Sequence, residues 1–218
     1  MAGDYGEMFT RLFAAHAPEL QLTRIDVVGG DPLPRLDAYD AVLVSGSRHG
    51  ATDELPWIGA LGGFLREASA AGVPTVGICF GHQLIAHALG GRVERAGVGW
   101  GIGVHRAEPT TTGATTLAGA RPFDLLVSHQ DQVVELPPEG ELLATSAHAP
   151  VAAFRLGRMV GFQGHPEFTA AYAAALMDSR RDRIPTEVIA GAQPTLATPT
   201  DHAVVARWIA DHLGAARP

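Results

Sequence analysis

The sequence predicts an α/β fold in which parallel strands alternate with crossover helices, with a more antiparallel region of short strands in the middle. Three observations predict it. Apolar residues at helical spacing alternate along the chain with short runs rich in β-branched residues, the stretch from 92 to 163 breaks into a series of shorter β-like segments, and two or three helical patterns close the chain. With 218 residues, 46% of them hydrophobic and 18% charged, the chain can bury a substantial core and reads most simply as one domain over 1–218.

The elements follow in order. A helical pattern spans about 6 to 17, followed by a strand-like "LQLTRIDVV" at 20 to 28 and the apolar "AVLVSG" at 41 to 46. From about 57 to 71, Trp57, Ile58, Leu61, Phe64, Leu65 and Ala68 share one helix face, and Gly72 and Pro74 end that helix. The strand "VPTVGIC" then leads into a helix over 81 to 90, whose Leu84, Ile85, Ala88 and Leu89 lie on one side.

Charge and composition exclude several function classes. The net charge of −7 and the scatter of basic residues disfavour nucleic-acid binding. The one basic cluster, "SRRDR" at 179 to 183, reads better as a solvated helix end than as a site for an acidic partner. No run of eighteen apolar residues occurs and no secretory signal is evident, so the expectation is a cytoplasmic protein without a membrane segment.

Two features invite a ligand reading and do not sustain it. The glycines of "GVGWGIG" (97 to 103) resemble a phosphate loop, but no helical pattern follows them, so a glycine-rich loop or strand is the better assignment. Ten histidines suggest a metal, yet His82 and His87 are five apart on a helix and no pair has zinc spacing, so no metal and no cofactor are assigned.

The chemistry concentrates at the only cysteine. In "GICFG", Gly77 and Gly81 bracket Cys79 at a strand-to-helix junction, which is what a sharp elbow requires if the central side chain is to stand clear of both elements. A helix N-terminus there would stabilise a thiolate, although a buried structural cysteine is the alternative. A base is available in "GRMVGFQGHPEF" (157 to 168). Pro166 biases His165 toward extended geometry, which sets Glu167 on the same side as His165, so the two can form a Cys-His-Glu triad with Cys79.

These residues resemble the class I (triad) glutamine amidotransferases. "GICFGHQ" at 77 to 83 and "GFQGHPE" at 161 to 167 are similar to the family's two signature segments, and "VSGS" at 44 to 47 and "SHQDQV" at 128 to 133 to its oxyanion and substrate loops. The four motifs occur in the family's order, and the tail is similar to stand-alone members that resemble the amidotransferase part of GMP synthase. The resemblance implies a flavodoxin-like three-layer fold with a mostly parallel central sheet and a small antiparallel region. It implies Cys79 as nucleophile, His165 as base and Glu167 as its orienting group, with backbone N–H groups of Gly46 and Phe80 facing the oxyanion. Gln83, Ser128, Gln130 and Asp131 would hold the amino-acid end of the substrate, and His82 is read as structural.

The chain departs from the family's pattern in three places. Arg48 and His49 follow the oxyanion loop where many relatives have proline. Gly164 precedes the base where many carry a bulkier aromatic, which implies more room for a larger substrate. The chain also begins almost at its first helix, so the expectation is a sheet without the N-terminal strand that usually enters that helix, unless another segment fills its inner position.

Three functions follow from the resemblance. The first is hydrolysis of glutamine through a Cys79 γ-glutamyl thioester, with ammonia passing to a separate synthetase partner. The second is hydrolysis of γ-glutamyl amides or peptides without a partner. The third is a non-catalytic regulatory or binding subunit that keeps the fold.

Overall fold

The computed structural model describes residues 4–117 and 121–214. The first helix, α1 (Tyr5–His16), starts where the Asp4 carboxylate accepts a hydrogen bond from the Glu7 N–H at 3.0 Å. Strand β1 (Val42–Val44) follows, then α2 (Pro56–Ala70), which opens on a proline that needs no N–H partner. Next come β2 (Thr75–Ile78), α3 (Phe80–Ala88), β3 (Arg92–Arg95) and β4 (Gly101–Pro109). The short α4 (Thr111–Thr116) lies in the stretch that the sequence presents as strands only. Strands β5 (Phe123–His129), β6 (Asp131–Glu135), β7 (Glu141–Ser146), β8 (Ala153–Leu156) and β9 (Met159–Phe162) complete the β region. Helices α5 (Ala170–Ser179), α6 (Thr186–Ala192) and α7 (His202–Leu213) close the described chain, with a 3₁₀ turn at Gln193–Ala197.

Seven strands form one mixed sheet in the order β1-β2-β9-β8-β7-β4-β5, and β3 pairs with β6 in a separate ribbon. The parallel pairings are β1 with β2 and β2 with β9, while the strands from β9 to β5 run antiparallel. Helices α1 and α7 cover one face, where Phe9, Phe13, Val205 and Ile209 pack on Val76, Ile78, Val160 and Phe162. Helices α2 and α3 cover the other, where Leu61, Leu65, Leu84 and Ile85 pack with Phe154 and Met159. This is the three-layer α/β arrangement that the resemblance implies.

The period of two along a strand explains where the glycines fall. Val76 and Ile78 on β2, and Val160 and Phe162 on β9, turn to the α1/α7 face. Gly77 and Gly161, paired in register, take the other face, and the start of α3 presses against both.

One expected strand does not form. Residues 20–28 carry no strand; instead the Asp26 carboxylate accepts from the Gly29 N–H at 2.9 Å and the chain turns. Leu22 and Val28 are exposed. β-propensity expresses itself only against a neighbouring strand and a packed face, and β1 is the outermost strand of the sheet among the described residues.

Candidate active site

Cys79 sits between the end of β2 and the first residue of α3 with φ 51° and ψ −98°, a backbone region that L-residues rarely adopt. Two close approaches hold it there. A Cβ on Gly77 would collide with the backbone of Gly81 and His82, and a Cβ on Gly81 would collide with the carbonyl of Val44. The elbow therefore needs glycine at both positions, and its strain is carried by the sheet and helix that flank it. Phe80 opens α3, so its N–H lies in the first turn, where no earlier helical carbonyl can receive it.

The base arrives from the end of β9. The His165 N–H bonds the Leu126 carbonyl at 2.8 Å, which ties the backbone after β9 to β5. Its ring donates from Nδ1 to Glu167 Oε1 at 2.6 Å, and both side chains are shut away from solvent. Phe168 stacks on the ring at 3.8 Å with a 10° interplanar angle. Burial opposes the imidazolium, but the Glu167 carboxylate and Cys79 outweigh it and carry His165 up to about 10. The Glu167 side chain thus favours the protonated form of His165 beside the sulfur.

Gly46 lies against this ring. A Cβ on it would come within 2.9 Å of His165 Cε1 and 3.0 Å of Tyr5 Cε1, so the loop after β1 reaches the base only because residue 46 has no side chain. The structure thus brings Cys79, His165, Glu167, Gly46 and Phe80 to one place.

The four residues expected to hold substrate are already engaged within the fold. Gln83 is buried, and its Nε2 donates to the Asp131 carbonyl at 2.6 Å and to Gln163 Oε1 at 3.1 Å. The Gln130 carbonyl accepts from the Ala96 N–H at 2.7 Å. The Ser128 hydroxyl accepts from Arg180 Nη1 at 2.7 Å. Gln83 therefore works as a brace between α3 and the start of β6, while Ser128 forms part of a polar group with Arg180.

Several residues around the sulfur escape the sequence reading. Gln163 donates from Nε2 toward Cys79 Sγ at 3.6 Å, and its place two residues before His165 on an extended segment was the signal that could have found it. Tyr5 stacks on His165 at 6.2 Å between centroids from the far end of the chain, and nothing local marks it. Arg180 turns inward from the cluster read as a solvated helix end, whereas Arg181 keeps to the surface and pairs with Asp178.

The rim differs from the expectation at Gly164. A Cβ there would meet the Leu125 Cβ at 2.8 Å, and Leu125 belongs to the core. The small residue makes space for Leu125, not for a larger substrate. His49 packs edge-on against Trp57 at 5.6 Å and Trp57 lies 5.5 Å from Phe80, so this departure from the family's pattern is built into the wall of the elbow. His82 is fully buried against Phe154 and Gly161, and burial lowers its pKa to about 4, in keeping with a neutral structural ring. Among the described residues no helix is long and apolar enough to cross a membrane, and no group of His, Cys, Asp and Glu has the geometry to hold a metal ion.

Known proteins resemble this chain over most of its length. The family model described as Glutamine amidotransferase class-I matches residues 2–177. Gamma-glutamyl peptidase 5 of Arabidopsis thaliana is 31% identical over 184 residues, covering 81% of this chain and 72% of that protein. A glutamine-hydrolysing GMP synthase of Thermus thermophilus is 34% identical over 172 residues, which are 75% of this chain but 32% of the synthase. Among solved structures, a glutamine amidotransferase of Thermotoga maritima superposes with a TM-score of 0.78 at 22% identity, covering 95% of this chain and 92% of that one.

Proposed function

Since the chain belongs to the class I glutamine amidotransferase family, we propose that it hydrolyses the γ-amide of glutamine through a γ-glutamyl thioester on Cys79. The observation that carries this reading is the placement of Cys79 on a strained elbow beside a buried His165–Glu167 pair.

The thiolate attacks the side-chain carbonyl carbon of glutamine, and the oxygen takes up negative charge. The N–H groups of Phe80 and Gly46 receive that charge, a contribution of about 3 kcal/mol per donor in acyl transfer. His165 gives its proton to the departing nitrogen, ammonia leaves, and the thioester remains. His165, now neutral, takes a proton from water, the hydroxide attacks the thioester carbonyl, and glutamate and the thiolate are released. Glu167 holds the ring in the tautomer that both steps need. Gln163 steadies the sulfur, and the whole described chain acts as one catalytic domain.

A second reading is hydrolysis of γ-glutamyl peptides by the same steps, with an amino acid or peptide amine leaving in place of ammonia. The similarity to a gamma-glutamyl peptidase over most of both chains favours it. If glutamine is the substrate, the ammonia would pass to a synthetase, a reading in keeping with the similarity to a glutamine-hydrolysing GMP synthase. Ammonia and amine release from purified protein, measured across glutamine and a γ-glutamyl peptide series, tests both readings. Release that disappears in Cys79→Ala and a γ-glutamyl adduct trapped on Cys79 are expected. Absence of release from every substrate, with and without a candidate synthetase, would leave a regulatory or binding subunit.

A further inference from the structure

Building on the hydrolase reading above, we propose that Arg180 is the carboxylate-binding group of this site and pairs with a carboxylate carried by the γ-glutamyl substrate. Arg180 caps the C-terminus of α5, and its guanidinium is held by two neutral groups from elsewhere in the chain. Its Nη1 donates to Ser128 Oγ on β5 at 2.7 Å, and its Cζ lies 5.8 Å from the centroid of the Trp100 ring, just before β4. Ser128 lies two residues along β5 from Leu126, whose carbonyl receives the His165 N–H, so Arg180 is held at the strand that anchors the base. Among the described residues no carboxylate lies within ion-pair distance of it.

That combination is unusual for a partly buried cation. A guanidinium withdrawn from water normally faces a carboxylate, because a hydroxyl and an aromatic face recover only part of its hydration. The ring face and the hydroxyl fix the plane of the group and leave the remainder of its N–H fork unspent. A carboxylate fits that fork with two parallel hydrogen bonds. Three separate elements converge to hold the group, so its direction is set before any ligand arrives.

Two carboxylates on the substrate have the required chemistry: the α-carboxylate of the γ-glutamyl unit, and that of an amino acid serving as the leaving amine. Four substrates separate them. L-glutamine and γ-glutamyl-p-nitroanilide carry the α-carboxylate alone, γ-glutamylglycine carries both, and the α-carboxamide of glutamine carries neither.

In Arg180→Met, kcat/KM for substrates bearing the recognised carboxylate is expected to fall about 10- to 100-fold, chiefly through KM, as for loss of a charge-assisted hydrogen bond. Arg180→Lys should restore part of it. For the α-carboxamide the loss should shrink to about threefold or less. A loss on glutamine and the anilide identifies the α-carboxylate, and a loss confined to γ-glutamylglycine identifies the leaving side; either supports the proposal. An equal loss on all four substrates overturns it. Calorimetric titration of L-glutamate and γ-glutamylglycine into Cys79→Ala, with Arg180 present or replaced by Met, reads the same contact without turnover. Weaker binding of at least one ligand to the Met variant supports the contact even if no substrate is hydrolysed, and equal affinity for both ligands overturns it.

Discussion

His165 Nδ1 lies 2.6 Å from Glu167 Oε1, with the two side chains 1% and 0% exposed. A charge pair so completely withdrawn from water is expensive to desolvate and is held together only by good geometry. Its value to the protein is therefore expected to lie in catalysis. Glu167→Gln preserves the shape but removes the charge that stabilises the imidazolium, so kcat should fall at least about a hundredfold while KM changes little. Steady-state kinetics on glutamine decide this, and an unchanged kcat would remove Glu167 from the reaction.

The backbone of Cys79 makes a separate prediction. At φ 51° and ψ −98° any side chain is strained, by about 1–3 kcal/mol. Cys79→Gly should therefore be more stable than Cys79→Ala by roughly 1 kcal/mol, although neither variant turns over substrate. Urea denaturation of the pair provides the comparison. Equal midpoints would mean that the elbow carries no stored strain.

The two glycines of the elbow should tolerate nothing larger. Gly77→Ala and Gly81→Ala each drive a methyl group into backbone, which cannot swing aside as a side chain would, so a loss of about 2 kcal/mol or more is expected, with loss of activity. Gly59, exposed on α2 with open space around it, is the contrast: Gly59→Ala should stabilise by about 0.5–1 kcal/mol. Thermal melts of the three variants test both signs.

Buried histidines predict an acid limit to stability. Burial lowers His82 and His105 to about 4 and His129 to about 3. In the unfolded chain each takes up a proton near pH 6.5, whereas in the fold it stays neutral until much lower pH. The unfolded state thus binds more protons below 6.5, and stability is lost as pH falls from about 6.5 toward 4, by on the order of 1–2 kcal/mol per histidine at pH 5. His165, raised to about 10, has the opposite sign: its contribution is complete below pH 6.5 and fades as pH rises toward 10. A stability profile by denaturant titration from pH 4.5 to 9.5 should therefore fall on both sides, and a flat acid limb would show that these rings are not neutral in the fold.

The sequence by itself determined what depends on neighbours along the chain. Gly77, Cys79 and Gly81 mark the elbow because a strand-to-helix turn is completed within a few residues, and His165 and Glu167 share a side because residues two apart in an extended segment always do. The helices α1, α2 and α3 were legible for the same reason, since each carries its apolar face at a local period. Tertiary structure decided the rest. Residues 20–28 have strand composition but turn instead, because a strand is completed by a partner and the described chain offers none beyond β1. Gln163 reaches the sulfur only through the register that pairs Gly77 with Gly161, and Tyr5 reaches His165 only because α1 packs across the sheet. Arg180 is the clearest case: within "SRRDR" nothing distinguishes it from Arg181. Its inward turn is set by where α5 ends relative to Ser128 and Trp100, residues dozens of positions away that meet it only once the sheet is assembled.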